Sequence, residues 1–332
     1  MKIAVDAMGG DLAPQEIVKG AVEAAKQNKD VDIVLVGDKK KIEDELSGLN
    51  ACLDNISILH ASQVVEMDES AILAVRKKTD SSITKSVELV AEGKAVAVVS
   101  AGNTGAVVAA STILLRTLEG VQRPGITVMI PRMNGFCIII DAGANLNCKP
   151  DHLLQYAIMA SVFCKYILGI DEPKVGLLNV GEEEAKGNDL VKRAYGLLSN
   201  SSLNFSGNVE GRDIVGGEID IVVCEGFVGN VLLKFFEGVA KDFFNTFESE
   251  AMKTPESKQG FNLCKPVLEK LRSRNDYEEY GGVPLLGVNG ICIISHGRSK
   301  CNAIRNAINE AIKFATNNVN DRIVTELKKN VN

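Results

Sequence analysis

Residues 95–115, AVAVVSAGNTGAVVAASTILL, carry no charge and lie between Lys94 and Arg116. About 20 mainly apolar residues are enough to span a bilayer, so this run forces a choice between one membrane helix and two packed elements. Its interior favours the second. Residues 95–99 are few and valine-rich, as in a buried parallel strand. Between Ser100 and Gly105 stand two glycines, an asparagine and two hydroxyls, which is the composition of a turn. Small and then aliphatic residues resume at Ala106, which suits a buried helix. A strand, a glycine-rich turn and a helix start together make an anion site, because unpaired N–H groups and the helix dipole point into the turn. The same residues also suit a tight turn that merely packs a helix on a sheet, and the run by itself leaves both readings open.

The alternation recurs along the chain. The aliphatic runs KIAVDA, DIVLVGD, ISILHA, KVGLLNVG, DIVVCEG and GICIISHG each lead into a helical pattern, the first opened by Pro14 near its first turn. Strands alternating with helices predict a mainly parallel sheet covered on both faces. One pair breaks the rhythm. GITVMIP and FCIIIDAG are separated by Arg132, Met133, Asn134 and Gly135, and Asn-Gly between apolar runs predicts a hairpin. The expected fold class is α/β, with three layers (α/β/α) around a mixed, mainly parallel sheet, in a single domain over residues 1–332. Residues 248–280 are the least strand-like and predict a protruding helical arm.

Composition excludes several functions. A net charge of −6, no tryptophan and 5% aromatics argue against nucleic-acid binding, which needs clustered positive charge. Met1 and Lys2 run straight into IAVDAMGG, which is not a secretory signal. The eight cysteines are scattered without a C-x-x-C, and there are only three histidines, so no metal centre is expected. Reduced thiols in a cytoplasmic protein fit this usage. G-x-G-x-x-G, G-x-x-x-x-G-K-[ST] and G-x-S-x-G are all absent, which argues against dinucleotide, nucleoside-triphosphate and serine-hydrolase chemistry.

Candidate chemistry follows the strands. DAMGGD (Gly9, Gly10, Asp11), SAGNTGA (Ser100, Gly102, Asn103, Thr104, Gly105), DAGAN (Asn145), NVGEEEAKG (Lys186), EGFVGN (Gly229, Asn230) and SHGRS (His296) each set glycine beside a polar group. Ligands in such sheets bind at the carboxyl ends of strands, so all six are expected to line one edge as a polar cleft. Lys186, just after three glutamates, reads either as a point charge presented to an anion or as part of a solvated charge run. Asn230 and Asn103 read either as helix caps or as amide donors to a carbonyl oxygen on which charge develops. His296 reads as a general base or as a satisfied turn histidine. Asp6 and Asp141 are expected to tie turns. The 253–274 stretch carries six cations, among them Lys265, Lys270, Arg272 and Arg274, against two glutamates, beside Phe261, Leu263 and Val267. Such a basic amphipathic arm suits an acidic protein or an anionic membrane surface, and equally a solvated helix with a packed inner face.

Taken in order, DAMGGDLAP, VRKKTDSSI, SAGNTGA, DAGANLNCKPDHL, NVGEEEAKGNDLVK, GNVEGRDI, EGFVGNVLLKFFEG and EYGGVPLLGVNG…SHGRS resemble the phosphate acyltransferase (PlsX) family over nearly the whole chain. Glu225 departs from the pattern, standing where an aspartate is expected, and Ser70-Ala71 replaces an acidic residue and proline. The resemblance implies a fold similar to that of isocitrate and isopropylmalate dehydrogenases and of phosphotransacetylase. It further implies a homodimer, in contact with the membrane peripherally through a helical arm at about 249–274. The implied reaction moves a long-chain fatty acyl group from acyl carrier protein to inorganic phosphate. The acyl phosphate formed would feed a glycerol-3-phosphate acyltransferase in phospholipid synthesis. Phosphate is an anionic nucleophile already and the leaving thiol has a pKa of about 8.5, so the chemistry calls for no cofactor and no catalytic Ser or Cys. What it needs is positioning and oxyanion stabilisation. Lys186 and the 100–105 turn are then expected to hold phosphate, with Asn230 and Asn103 donating to the thioester oxygen. Two other classes compete: a metal- and nicotinamide-dependent decarboxylating dehydrogenase of similar fold, and a non-catalytic phosphate or acyl sensor.

Overall fold

The computed structural model describes residues 1–51, 53–132, 135–274 and 281–330, without the side chains of Ser273 and Arg274. The aliphatic runs become strands and most segments between them become helices. The first half contains β1 (Lys2–Asp6), α1 (Gln15–Gln27), β2 (Asp32–Gly37), α2 (Lys39–Gly48), β3 (Ile56–His60), α3 (Ala71–Lys77), α4 (Ser82–Ala91), β4 (Ala97–Ser100) and α5 (Thr104–Ala110). Next come β5 (Gly125–Pro131), β6 (Phe136–Ile140), α6 (Pro150–Phe163), β7 (Val175–Leu178), α7 (Asp189–Ser199), β8 (Phe205–Val209), α8 (Asp213–Gly216) and β9 (Ile221–Val223). The chain continues through α9 (Gly226–Ala251), α10 (Pro255–Arg274), β10 (Val283–Leu286), β11 (Ile291–Ile294), α11 (Cys301–Thr316) and α12 (Val319–Asn330).

The uncharged run is thus β4, a turn and α5, the helix extended by one π turn over Ser111–Leu115. Among the described residues no helix is long and apolar enough to cross a membrane. The described cysteines are free thiols; Cys52 lies outside them.

The strands form one sheet in the order β3-β2-β1-β4-β11-β10-β5-β6-β9-β7-β8. Its two flanks are parallel, but β10 runs antiparallel to both β11 and β5, and β5 runs antiparallel to β6. The β5–β6 pairing is the expected hairpin, although Met133 and Asn134 of its loop lie outside the described residues. Three reversals separate β11 from β6, so the two parallel flanks point in opposite directions. This corrects the expectation of a single edge: the turns after β1, β4 and β11 lie at one end of the strands, and those after β6, β7 and β9 at the other.

Side chains alternate across the strands and divide the core in two. Val18 of α1, Tyr156 and Phe163 of α6, Ile308 of α11 and Ile323 of α12 pack on one face. Val75 of α3, Val87 of α4 and Val107 of α5 pack on the other, against Ile126, Val128 and Ile130 of β5. Burying such an aliphatic side chain stabilises the fold by about 1.5–3 kcal/mol. Helix α9 runs unbroken to Ala251 before α10 folds back along it, with Phe247 and Phe261 at 6.1 Å between ring centroids.

Candidate active site

The glycine motifs pack against one another in two groups. In the first, Ser100 Oγ donates to Asp6 Oδ2 at 2.6 Å and accepts from the Gly102 N–H at 3.1 Å. A Cβ on Gly9 would lie 2.4 Å from Asp6 Oδ2 and 2.7 Å from the Gly102 nitrogen, so only glycine lets these turns meet. The Asp11 N–H donates to the Gly297 carbonyl at 2.7 Å, which ties DAMGGD to SHGRS. In the second group, Asp141 accepts from the N–H groups of Ile126, Gly143, Ala144 and Asn145. A Cβ on Gly229 would lie 1.9 Å from the Asp141 carbonyl oxygen, so the glycine of EGFVGN exists to seat α9 on DAGAN. Burial raises the pKa of both Asp6 and Asp141, opposed by these hydrogen bonds. Both carboxyls tie turns, as expected.

Between the two groups lies a cavity of about 410 Å³. From the first group it takes Thr104 and Gly105, at the start of α5, with Ser295 and His296 beyond β11. Ala142, Gly143 and Asn230 come from the second, and Leu233, Lys234, Phe236 and Glu237 continue along α9. The floor is apolar and comes from β5 and the start of β10. An apolar groove with a few convergent polar groups is the usual form of a small-molecule site.

Of the expected site residues, the structure therefore brings together Thr104, Gly105, Asn230 and His296. Asn230 is not a cap. That position belongs to Glu225, whose carboxylate accepts from the Phe227 and Val228 N–H groups, so glutamate serves where aspartate was expected. Asn230 lies one turn further on, exposed, and its amide makes no hydrogen bond among the described residues. His296 Nδ1 accepts from the Arg298 N–H at 3.2 Å, which places the proton of the neutral ring on Nε2. Burial lowers its pKa, and the cations Lys234 and Arg298 add to the effect. Lys234 Nζ reaches Glu237 at 2.8 Å.

The remaining candidates lie elsewhere. Asn103 caps α5: its Oδ1 accepts from the Ala106 N–H, and its Nδ2 donates to the carbonyls of Glu66, Met67 and Glu69 at 3.0–3.2 Å. It is 8% exposed and its donors are committed, so it positions the turn and has no amide hydrogen to offer a substrate. Ser100, Gly102, Gly9 and Gly229 are buried in the packing of the turns, and Gly10, at φ +105°, shapes its own. Asp11, whose carboxylate sits 3.9 Å from Arg298 Nε, is outside the cavity wall. Asn145 is used up inside the loop, where it donates to Tyr156 Oη and the Pro124 carbonyl. Lys186 is exposed on the loop after β7 and is not part of the wall; its backbone carbonyl accepts from Asn179 Nδ2. In the arm, Lys265, Lys270 and Arg272 are exposed, Lys265 standing 3.9 Å from Glu269. The side chain of Arg274 lies outside the described residues.

Sequence reasoning missed Lys234 and Glu237, and took Ser295 only as the first residue of the SHGRS turn. The signal for Lys234 was its place four residues after Asn230, which puts both on one helix face. Among the described residues the cavity wall holds no cysteine, and its buried Ser295 donates to the Gly281 carbonyl at 2.7 Å. Burial pushes the Cys137 and Cys292 thiols up to about 12. Nothing here is a primed nucleophile.

The mixed sheet flanked by helices is an α/β fold shared with phosphotransacylases. A phosphotransacetylase from Streptococcus pyogenes superposes with a TM-score of 0.61 at 17% identity, over 95% of this chain and 94% of that one. A 4-hydroxythreonine-4-phosphate dehydrogenase from Klebsiella pneumoniae superposes at 0.52 and 15% identity, over 95% and 98%. Both show the fold alone. A family model described as fatty acid synthesis protein matches residues 1–322. Phosphate acyltransferases from Halothermothrix orenii (47% identical, 100% of this chain, 99% of that one) and Moorella thermoacetica (48%, 98% and 95%) align over essentially the full length. The chain belongs to the phosphate acyltransferase family and is an acyltransferase enzyme.

Proposed function

We propose that the enzyme transfers a long-chain fatty acyl group from acyl carrier protein to inorganic phosphate, releasing acyl phosphate and the carrier thiol. The observation that carries this reading is the form of the cavity, an apolar groove that ends at an amide without a partner among the described residues, which also place no activated nucleophile in its wall. Such a site suits a reaction whose nucleophile arrives from solution. In this reading the acyl chain lies along β5 and α9, and its thioester carbonyl meets Asn230. One phosphate oxygen attacks the carbonyl carbon while the Asn230 amide donates to the oxygen on which charge develops. Collapse of that intermediate breaks the carbon–sulfur bond, and the thiolate takes its proton from solvent. Thr104, Gly105 and Lys234 supply donors and positive charge for phosphate from the wall, and Lys186 supplies charge from its loop.

We further propose that the product feeds a glycerol-3-phosphate acyltransferase, that the enzyme works as a homodimer in the cytoplasm, and that the arm, with Lys265, Lys270, Arg272 and Arg274, meets the carrier or the inner membrane face. The test mixes the enzyme with palmitoyl-acyl carrier protein and phosphate and traps acyl phosphate with hydroxylamine. Phosphate-dependent hydroxamate is the expected result. Saturable carrier binding without hydroxamate would refute the transferase reading in favour of a sensor.

A further inference from the structure

The wall of the cavity contains six successive residues of one strand, Ile126, Thr127, Val128, Met129, Ile130 and Pro131. Neighbours on a strand point to opposite faces of the sheet, so a groove confined to one face would meet the side chains of alternate residues and only the backbone of those between. The core confirms the alternation: Ile126, Val128 and Ile130 belong to one apolar cluster, and Met129 packs against the other. Met129, which packs against the far cluster, is nonetheless in the wall of this cavity, which follows β5 along its length.

The ladder shows why one edge of β5 is open. β10 pairs with β5 only through Leu285 and Leu286, opposite Ile126 and Gly125, whereas Val283 and Pro284 turn away to pair with β11. Beyond Ile126, the described pairings of β5 are with β6 alone. The sheet forks there, and two glycines line the fork. A Cβ on Gly281 would lie 2.3 Å from the Ala307 nitrogen in α11, and one on Gly282 would lie 2.7 Å from Ile293 Cγ2.

On the far face a second cavity, of about 530 Å³, lies between the end of α1, the β5–β6 hairpin and α11. Met129, Phe136, Ile167, Leu168 and Ile312 form the apolar part of its lining, and Gln27, Asn28, Asn306, Asn309 and the pair Glu310 and Lys313, 3.4 Å apart, form its polar side. Among the described residues, Met129 alone lines both cavities.

We propose that the methyl end of a long acyl chain passes through the fork between β5 and β10 into the second cavity, and that Met129 determines the chain length the enzyme accepts. This rests on the acyl-transfer reading above. Methionine suits the position because it is unbranched, with three rotatable bonds that let it move aside without leaving a hole. The charged pair of Glu310 and Lys313 sets the far limit, since an apolar chain end gains nothing beside it.

The test compares octanoyl- and palmitoyl-acyl carrier protein as donors for the wild type, Met129→Trp, Met129→Ala and Ile312→Phe, with hydroxamate as readout and Tm as a control for folding. Met129→Trp is expected to keep octanoyl transfer and to lose palmitoyl transfer by about tenfold or more. Ile312→Phe fills the far cavity from α11 and is expected to select against the longer chain as well, which keeps the test decisive if the tryptophan variant does not fold. Met129→Ala widens the passage and is expected to shift the ratio of octanoyl to palmitoyl turnover in the direction opposite to Met129→Trp. Folded Met129→Trp and Ile312→Phe variants whose ratio of octanoyl to palmitoyl turnover matches that of the wild type would overturn the inference. A wild type that forms no phosphate-dependent product from either donor would instead refute the reading on which it rests.

Discussion

Replacing Asn103 with alanine tests whether the two asparagines of the site motifs do different work. Asn103 Oδ1 caps α5, and losing a cap of this kind costs about 1 kcal/mol. Its Nδ2 has two hydrogens for the carbonyls of Glu66, Met67 and Glu69, so about two net hydrogen bonds of about 1 kcal/mol each are lost as well. The sum is about 3 kcal/mol. With an unfolding entropy of about 2.1 cal/mol/K per residue, 332 residues give about 0.7 kcal/mol/K, and Tm should fall by about 4 °C. Asn230→Ala removes an exposed amide with no partner among the described residues, so Tm should not move. If that amide stabilises the oxyanion, turnover should fall roughly 100-fold. Differential scanning calorimetry and the hydroxamate assay read the two quantities on the same preparations. An Asn103→Ala protein with unchanged Tm and turnover lost as deeply as in Asn230→Ala would refute the division of roles.

Three further expectations follow from single contacts. Gly229→Ala sets a methyl 1.9 Å from the Asp141 carbonyl and should cost more than about 4 kcal/mol, seen as loss of folded protein, whereas Gly238→Ala, in the same helix with nothing within 4 Å, should raise stability by about 0.5–1 kcal/mol. Lys186→Ala should leave Tm unchanged and raise the phosphate KM roughly 10-fold or more, the worth of a hydrogen bond to a charged group; unchanged kinetics would remove Lys186 from the mechanism. His296, with a folded pKa below the usual 6.5, binds fewer protons folded than unfolded, so its contribution to stability is intact above pH 6.5 and lost as pH falls through the folded value. A plot of Tm against pH below 6.5 should be shallower in His296→Gln, and an identical slope would show that the ring does not report on folding.

The strands that carry motifs were legible because each is an aliphatic run closed by glycine, and the β5–β6 hairpin because Asn-Gly marks it. The reversal at β10 was not recognised, although VPLLGVNGICII contains the same Asn-Gly signal between apolar residues. The wrong edge has another origin: the single β5–β6 reversal already opposes the strands on its two sides, as three reversals do, and the six turns were nonetheless assigned to one end. Helix α6 was missed for a different reason. It is buried on nearly all sides, from His152 to Phe163, so it shows no polar face and little periodicity. At the site, motif and mechanism diverged because glycine and asparagine serve close packing as well as binding. Gly9 and Gly229 are conformational necessities, Asn103 is a clamp, and nothing local in the sequence separates Asn103 from Asn230.

The reversed centre of the sheet is also what suits this site to an amphiphilic substrate. If both flanks pointed the same way, the helix starts that follow β4 and β9 would stand side by side on one edge, over loops and solvent. With the flanks opposed, α5 approaches from one end of the strands and α9 from the other, and they meet across β10 and β5, whose residues belong to the hydrophobic core. Donors and charges thereby gather at one end of a groove whose floor is aliphatic. The short antiparallel strand that produces the reversal also pairs imperfectly, because β10 divides its few residues between β11 and β5. The gap left along the edge of β5 extends the groove toward the opposite face. A polar mouth and an apolar continuation thus arise from the same feature of the ladder, so a substitution that lengthens the β10–β5 pairing should narrow the groove without touching any group at its mouth.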